Sequence, residues 1–99
     1  MKKFVVQTKT HFNPDQEDLV RELAEISLPI FKKQPGLLDI QLHIAHDNSH
    51  TMGIIQWESK EHHEACLASP DFGPFNTKWE TLMKSGTAKF EMHTYDVLM

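Results

Sequence analysis

From Lys3 to about Phe12 the chain alternates, with Phe4, Val6, Thr8 and Thr10 on one side and Val5, Gln7, Lys9 and His11 on the other. A two-residue period of this kind is the pattern of a half-buried strand. Asn13-Pro14-Asp15-Gln16 then reads as a helix start, with Asn as cap, Pro at the first helical position and Gln placed to complete a capping box. Leu19, Leu23, Ile26 and Ile30 follow at spacings of four, three and four, a single helical stripe. Pro29 predicts a kink near the helix end, and Pro35-Gly36 closes the segment. Leu38, Ile40, Leu42 and Ile44 alternate with Asp39, Gln41, His43 and Ala45, which predicts a second strand. Asp47-Asn48-Ser49 supplies a turn into a third strand from about Thr51 to Glu58, with Gly53, Ile55 and Trp57 opposite Met52, Ile54 and Gln56. Ser59 caps a helix from Lys60 to about Ala68, and Ser69-Pro70-Asp71 interrupts it. A further helical piece carries Phe72, Phe75, Trp79, Leu82 and Met83 toward Ser85-Gly86. The stretch from Ala88 to Leu98 alternates Phe90, Met92 and Thr94 against Glu91, His93 and Tyr95, a fourth strand.

The order strand, helix, strand, strand, helix, strand predicts an α+β fold: a ferredoxin-like βαββαβ sandwich on an antiparallel sheet, with strands one and three central. Ninety-nine residues allow one domain, residues 1–99, and a core too small to be generous. Cys66 is the only cysteine, so no internal disulfide and no Cys-pair zinc site supports that core. A partner subunit is the remaining support. The outer sheet face and the apolar end Val97-Leu98-Met99 suit a homodimer. With 10 Lys+Arg against 14 Asp+Glu and no basic run, a nucleic-acid partner is not expected. The three apolar residues near the start are too few for a signal-peptide core, and no stretch is apolar enough to span a membrane, so a cytoplasmic protein is expected.

Trp57-Glu58-Ser59-Lys60-Glu61, followed by Leu67-Ala68-Ser69-Pro70-Asp71-Phe72, resembles the W-E-S-x-E…H-L-x-S-P-H-F stretch of antibiotic biosynthesis monooxygenase domains. Pro35-Gly36 and the element order extend the resemblance over nearly the whole chain. It implies ferredoxin-like protomers joined as a dimeric α+β barrel. The family includes cofactor-free oxygenases of quinols and polyketide phenols, haem-degrading enzymes, a sugar-phosphate isomerase and members with no assigned activity. The Trp that the polyketide oxygenases place beside the substrate corresponds to Trp57. Their Asn four residues earlier is Gly53 here, and their Tyr six residues later is His63. Cys66 and Asp71 stand where H-L-x-S-P-H carries histidines. Cys66 also replaces the helix Trp of the haem-degrading branch, and Asn76 its haem-ligating His, which argues against haem degradation.

Cofactor-free oxygenation needs a base to make an electron-rich phenolate, a dry pocket and groups to orient the ring. The expected catalytic residues are Trp57 as a pocket wall, His63 as the base and Asn76 as the orienting group. The expected substrate pocket consists of Phe72, Phe75, Trp79 and Cys66. Each residue also has a structural reading: the aromatic stripe as plain core, His63 on a solvated helix face beside His62, and Trp57 as packing. Seven histidines raise the question of a metal, but His43 and His46 point to opposite faces of a strand, and His62 with Cys66 lacks a third ligand. No metal and no cofactor are expected. The function expected is a cofactor-independent monooxygenase of a small aromatic phenol or quinol. The alternatives are a non-catalytic binder of a small molecule and an isomerase, although no Gly-rich phosphate loop supports the latter.

Overall fold

The computed structural model describes residues 3–98, so Met99 of the expected apolar end lies outside the described residues. Four strands, β1 (Phe4–His11), β2 (Leu37–Ile44), β3 (His50–Trp57) and β4 (Lys89–Asp96), form one antiparallel sheet in the order β2-β3-β1-β4. Three helices connect them: α1 (Glu17–Lys32), α2 (Lys60–Leu67) and α3 (Gly73–Lys84). Short 3-10 turns at Pro14–Gln16 and Pro70–Phe72 lead into α1 and α3. The observed order is the ferredoxin-like βαββαβ sandwich, with β1 and β3 central.

Helix α1 begins as its sequence dictates. The Asn13 amide donates to Gln16 Oε1 at 2.9 Å, which satisfies one of the donors that a helix start leaves free. Gln16 Nε2 also donates to Ser85 Oγ at 2.8 Å, tying the start of α1 to the end of α3. The helix runs through Pro29 to Lys32. Its buried face is Val20, Leu23 and Ser27, while Leu19, Ile26 and Ile30 lie half-buried at the flank. The inward stripe is therefore rotated from the one read off the large aliphatics. Ser27 tolerates burial because its hydroxyl donates to the Ala24 carbonyl at 3.1 Å.

The strand alternation matches burial on β1 and β3, where Phe4, Val6, Thr10, Gly53, Ile55 and Trp57 are buried. On β2 it departs from expectation. A register shift between Leu37 and Asp39 places Leu37 opposite Trp57 and leaves Leu38 46% exposed. This is the signature of a bulge, which adds a residue to one strand and reverses the facing of those before it. On β4, one of the two edges of the sheet, every residue is exposed, Phe90 and Met92 included.

The core has two parts. One gathers Phe4, Val6, Ile55, Trp57 and Cys66 beneath α2, and the other Phe12, Val20, Leu23 and Leu82 between α1 and α3. Between these two clusters the inner sheet face is left open.

Candidate functional site

That opening is a cavity of about 520 Å³ between the inner sheet face and the helices. Its floor is made of Val6, Thr8 and Thr10 from β1, Leu42 and Ile44 from β2, and Thr51 and Gly53 from β3. Leu23, Ser27 and Phe31 of α1 form one wall, and His63, Cys66, Phe72, Phe75, Asn76 and Trp79 form the other. Phe90 and Met92 reach it from the edge strand. The lining is predominantly apolar with a few polar groups, the usual make-up of a small-molecule site.

Local chemistry at the start of α2 sets which histidine turns inward. The His62 amide donates to Ser59 Oγ at 3.3 Å, and that hydroxyl also bonds His62 Nδ1 at 2.7 Å. His62 is thereby held in the cap, lying over Gly36, whose φ of +84° favours glycine and where the His62 ring leaves no room for a side chain: a Cβ there would lie 2.2 Å from His62 Cγ. One residue on, about 100° around the helix, His63 faces the core and is only 7% exposed. Its ring lies 5.5 Å from that of Phe4 and 6.2 Å from that of Trp57, centroid to centroid. Its nitrogens make no hydrogen bond to any described residue. Among the described buried side chains, only Trp57 Nε1 is sealed off without a partner, so the polar edge of His63 is open to the cavity. Burial pushes the His63 imidazole below its ordinary 6.5, weakly opposed by the Glu64 carboxylate, which keeps the ring neutral at physiological pH.

This shift couples to stability. Between its depressed folded value and 6.5, the unfolded chain binds a proton that the folded chain does not, so folding weakens as pH falls through that window. His63→Gln removes the titration. The stability of the variant relative to the native protein, measured by denaturant midpoints, is expected to improve as pH is lowered from 7.5 to 5.5; a constant difference would contradict the buried neutral imidazole.

The expected pocket residues come together. An aromatic chain runs Phe31–Phe72 (5.0 Å), Phe72–Phe75 (6.1 Å), Phe75–Trp79 (5.7 Å, stacked) and Trp79–Phe90 (5.1 Å) along one side of the cavity. Asn76, one residue after Phe75, is exposed and sits at the rim. Cys66 is buried, and desolvation pushes its thiol up to about 11, so it lines the wall as a neutral group. Trp57 is placed differently. It is fully enclosed at the end of β3, against Phe31 and His63, and does not line the cavity. It backs the ring of His63 rather than forming the wall itself.

The sequence reading passed over several groups. Thr8, Thr10 and Thr51 supply hydroxyls to the floor, legible in hindsight from the inward parity of β1 and β3. Gln34 is buried and donates to the Ile30 carbonyl and to Asp71 Oδ2, pinning the Pro70–Phe72 turn that presents Phe72. Among the described residues no three His, Cys, Asp or Glu side chains come together as a metal site, and no helix is long and apolar enough to cross a membrane.

The family model described as antibiotic biosynthesis monooxygenase matches residues 3–78. No curated protein matches the chain significantly. Among solved structures, Rv0793 from Mycobacterium tuberculosis superposes with a TM-score of 0.84 at 14% identity, covering 98% of this chain and 96% of that one. SnoaB, a cofactor-independent oxygenase from Streptomyces nogalater, gives 0.73 at 16% identity, covering 100% and 96%. A dimeric ferredoxin-like protein from an uncultured marine organism gives 0.77 at 21% identity, covering 100% and 98%. At these identities the likeness speaks for the fold.

Proposed function

Because the chain belongs to the antibiotic biosynthesis monooxygenase family, we propose that it is a cofactor-independent monooxygenase of a small aromatic phenol or quinol bound in the cavity between helices and sheet. The observation that carries this reading is His63, a buried, neutral imidazole with its polar edge open to a predominantly apolar chamber. A neutral imidazole can accept a phenolic proton, and the low-polarity walls sharpen the electron density of the resulting phenolate. The phenolate then transfers electrons to molecular oxygen and a carbon–oxygen bond forms. Cleavage of the O–O bond leaves one oxygen atom on the ring and releases the other as water. For a hydroquinone the balance is quinol plus O2 to hydroxyquinone plus water, all four electrons coming from the substrate. Asn76 at the rim orients a substrate oxygen, the aromatic chain from Phe31 to Trp79 holds the ring plane, and Cys66 contributes apolar wall. Trp57 acts from behind by holding His63 in place.

The SnoaB likeness in fold and its description as a cofactor-independent oxygenase support this chemistry. The test is oxygen uptake by chelator-treated protein with hydroquinones, naphthohydroquinones and polycyclic phenols, run under 18O2. Uptake above the uncatalysed rate with one labelled atom in the product supports the proposal. Tight binding across the panel with no uptake assigns the cavity to a non-catalytic binder.

The working unit in this proposal is a homodimer, located in the cytoplasm. Phe90, Met92 and Tyr95 on β4 and the end residues Val97 and Leu98 leave apolar surface in water, Leu98 at 90% exposure. A second protomer against this edge and the outer sheet face would bury it, in keeping with the dimeric relative. Light scattering at micromolar concentration is expected to give twice the protomer mass; a monomer mass there would remove the dimer from the proposal.

A further inference from the structure

At the floor of the cavity Thr8 faces Gly53 across the central strand pair, the two residues being register partners. A Cβ built on Gly53 would lie 2.7 Å from Thr8 Oγ1 and 3.3 Å from Leu42 Cδ2. The first distance is too close for a carbon atom, so a side chain at this position would press on the hydroxyl. The absence of a side chain at Gly53 thus leaves Thr8 Oγ1 uncovered, where any larger residue would crowd it. Thr8 Oγ1 makes no hydrogen bond to any described residue. It is not sealed off either, since among the described buried side chains that condition is met by Trp57 Nε1 alone.

An uncovered hydroxyl at the base of an apolar chamber is costly unless something polar meets it. We propose that Thr8, uncovered by Gly53, is a specificity-determining residue of the cavity: its hydroxyl bonds a hydroxyl or carbonyl oxygen on the part of the ligand remote from His63. His63 lies against Phe4, and four residues of strand separate Phe4 from Thr8, about 13 Å of rise. The two polar points therefore grip different ends of one molecule, which selects aromatic ligands oxygenated at both ends over those with a single oxygen function. A hydrogen-bonding subsite discriminates against a ligand lacking the oxygen because the buried hydroxyl is then left unpaired. The inference rests on the cavity being the ligand site, as proposed above, and adds the second point of recognition.

The experiment uses naphthalene, 2-naphthol and 2,6-dihydroxynaphthalene as probes, with dissociation constants measured by calorimetry under argon for the native protein, Thr8→Val, Thr8→Ser and Gly53→Ala. Thr8→Val keeps the branched shape and removes the hydroxyl. It is expected to weaken the diol by about 3- to 10-fold, the net worth of a neutral hydrogen bond, while leaving naphthalene unchanged. Thr8→Ser is expected to restore the native preference. Gly53→Ala, which fills the space at the hydroxyl, is expected to weaken the diol as Thr8→Val does. Equal diol affinity in native protein and Thr8→Val, with naphthalene bound by both, overturns the role of Thr8 and leaves the cavity reading standing. Failure of the native protein to bind any of the three probes overturns both. A matching loss of naphthalene and diol affinity in Thr8→Val shows a packing role and overturns the inference.

Discussion

His63→Gln is expected to lower the rate of catalysed oxygen uptake by about 10²- to 10⁴-fold, the usual contribution of a positioned general base, while the protein stays folded. Glutamine fills much of the imidazole's volume and keeps a polar edge toward the cavity, but it cannot take up a phenolic proton. The loss should fall on kcat more than on KM, since the proton transfer belongs to the transition state and the aromatic walls that bind the ring are untouched. In the native protein, the acid limb of the kcat/KM profile is expected below pH 6.5, because burial holds the imidazole under its ordinary value and delays its protonation. Steady-state uptake against pH, with circular dichroism to verify folding, checks both points. A folded variant with undiminished uptake would remove His63 as the base.

Trp57→Ala is expected to cost about 3–5 kcal/mol of folding stability, the range for deleting a large aromatic from a core. Trp57 is fully enclosed, pairs through its backbone with Phe4 on one side and Leu37 on the other, and packs on Phe31 and His63. A small domain with only modest total stability would be largely unfolded by such a loss. Trp57→Phe keeps most of the apolar volume and also removes the indole N–H, which is buried without a partner. It is expected to fold, with a much smaller decrease in the denaturant midpoint. Chemical denaturation followed by circular dichroism distinguishes the two variants. An alanine variant as stable as the native protein would mean that Trp57 is not the keystone of its cluster.

These two residues show what could be read in advance and what could not. The alternation of β1 and β3 survives folding because a strand offers only two faces, and one of them must be covered by helices. The aromatic spacing of Phe72, Phe75 and Trp79 likewise survives, as one side of the Pro70–Phe72 turn and the α3 helix it leads into. On α1 the stripe of large aliphatics is only partly the buried face: Leu23 faces inward with Val20 and Ser27, while Leu19, Ile26 and Ile30 lie at the flank. Parity on β2 failed at Leu38, because a bulge changes facing without any change in composition.

By itself the sequence determined the order of elements, the central pair of strands, the caps at Asn13 and Ser59, the family resemblance carried by the Trp57–Glu61 and Leu67–Phe72 stretches, and the short list of residues with suitable chemistry. Local chemistry suffices for these, since periodicity and capping act over a few neighbouring residues. Only the tertiary structure decided that His63 rather than His62 turns inward, that Trp57 stands behind the cavity wall, and that Thr8 is left uncovered over Gly53 at its floor. Each of these depends on distances between segments remote along the chain, which are set when the helices pack on the sheet.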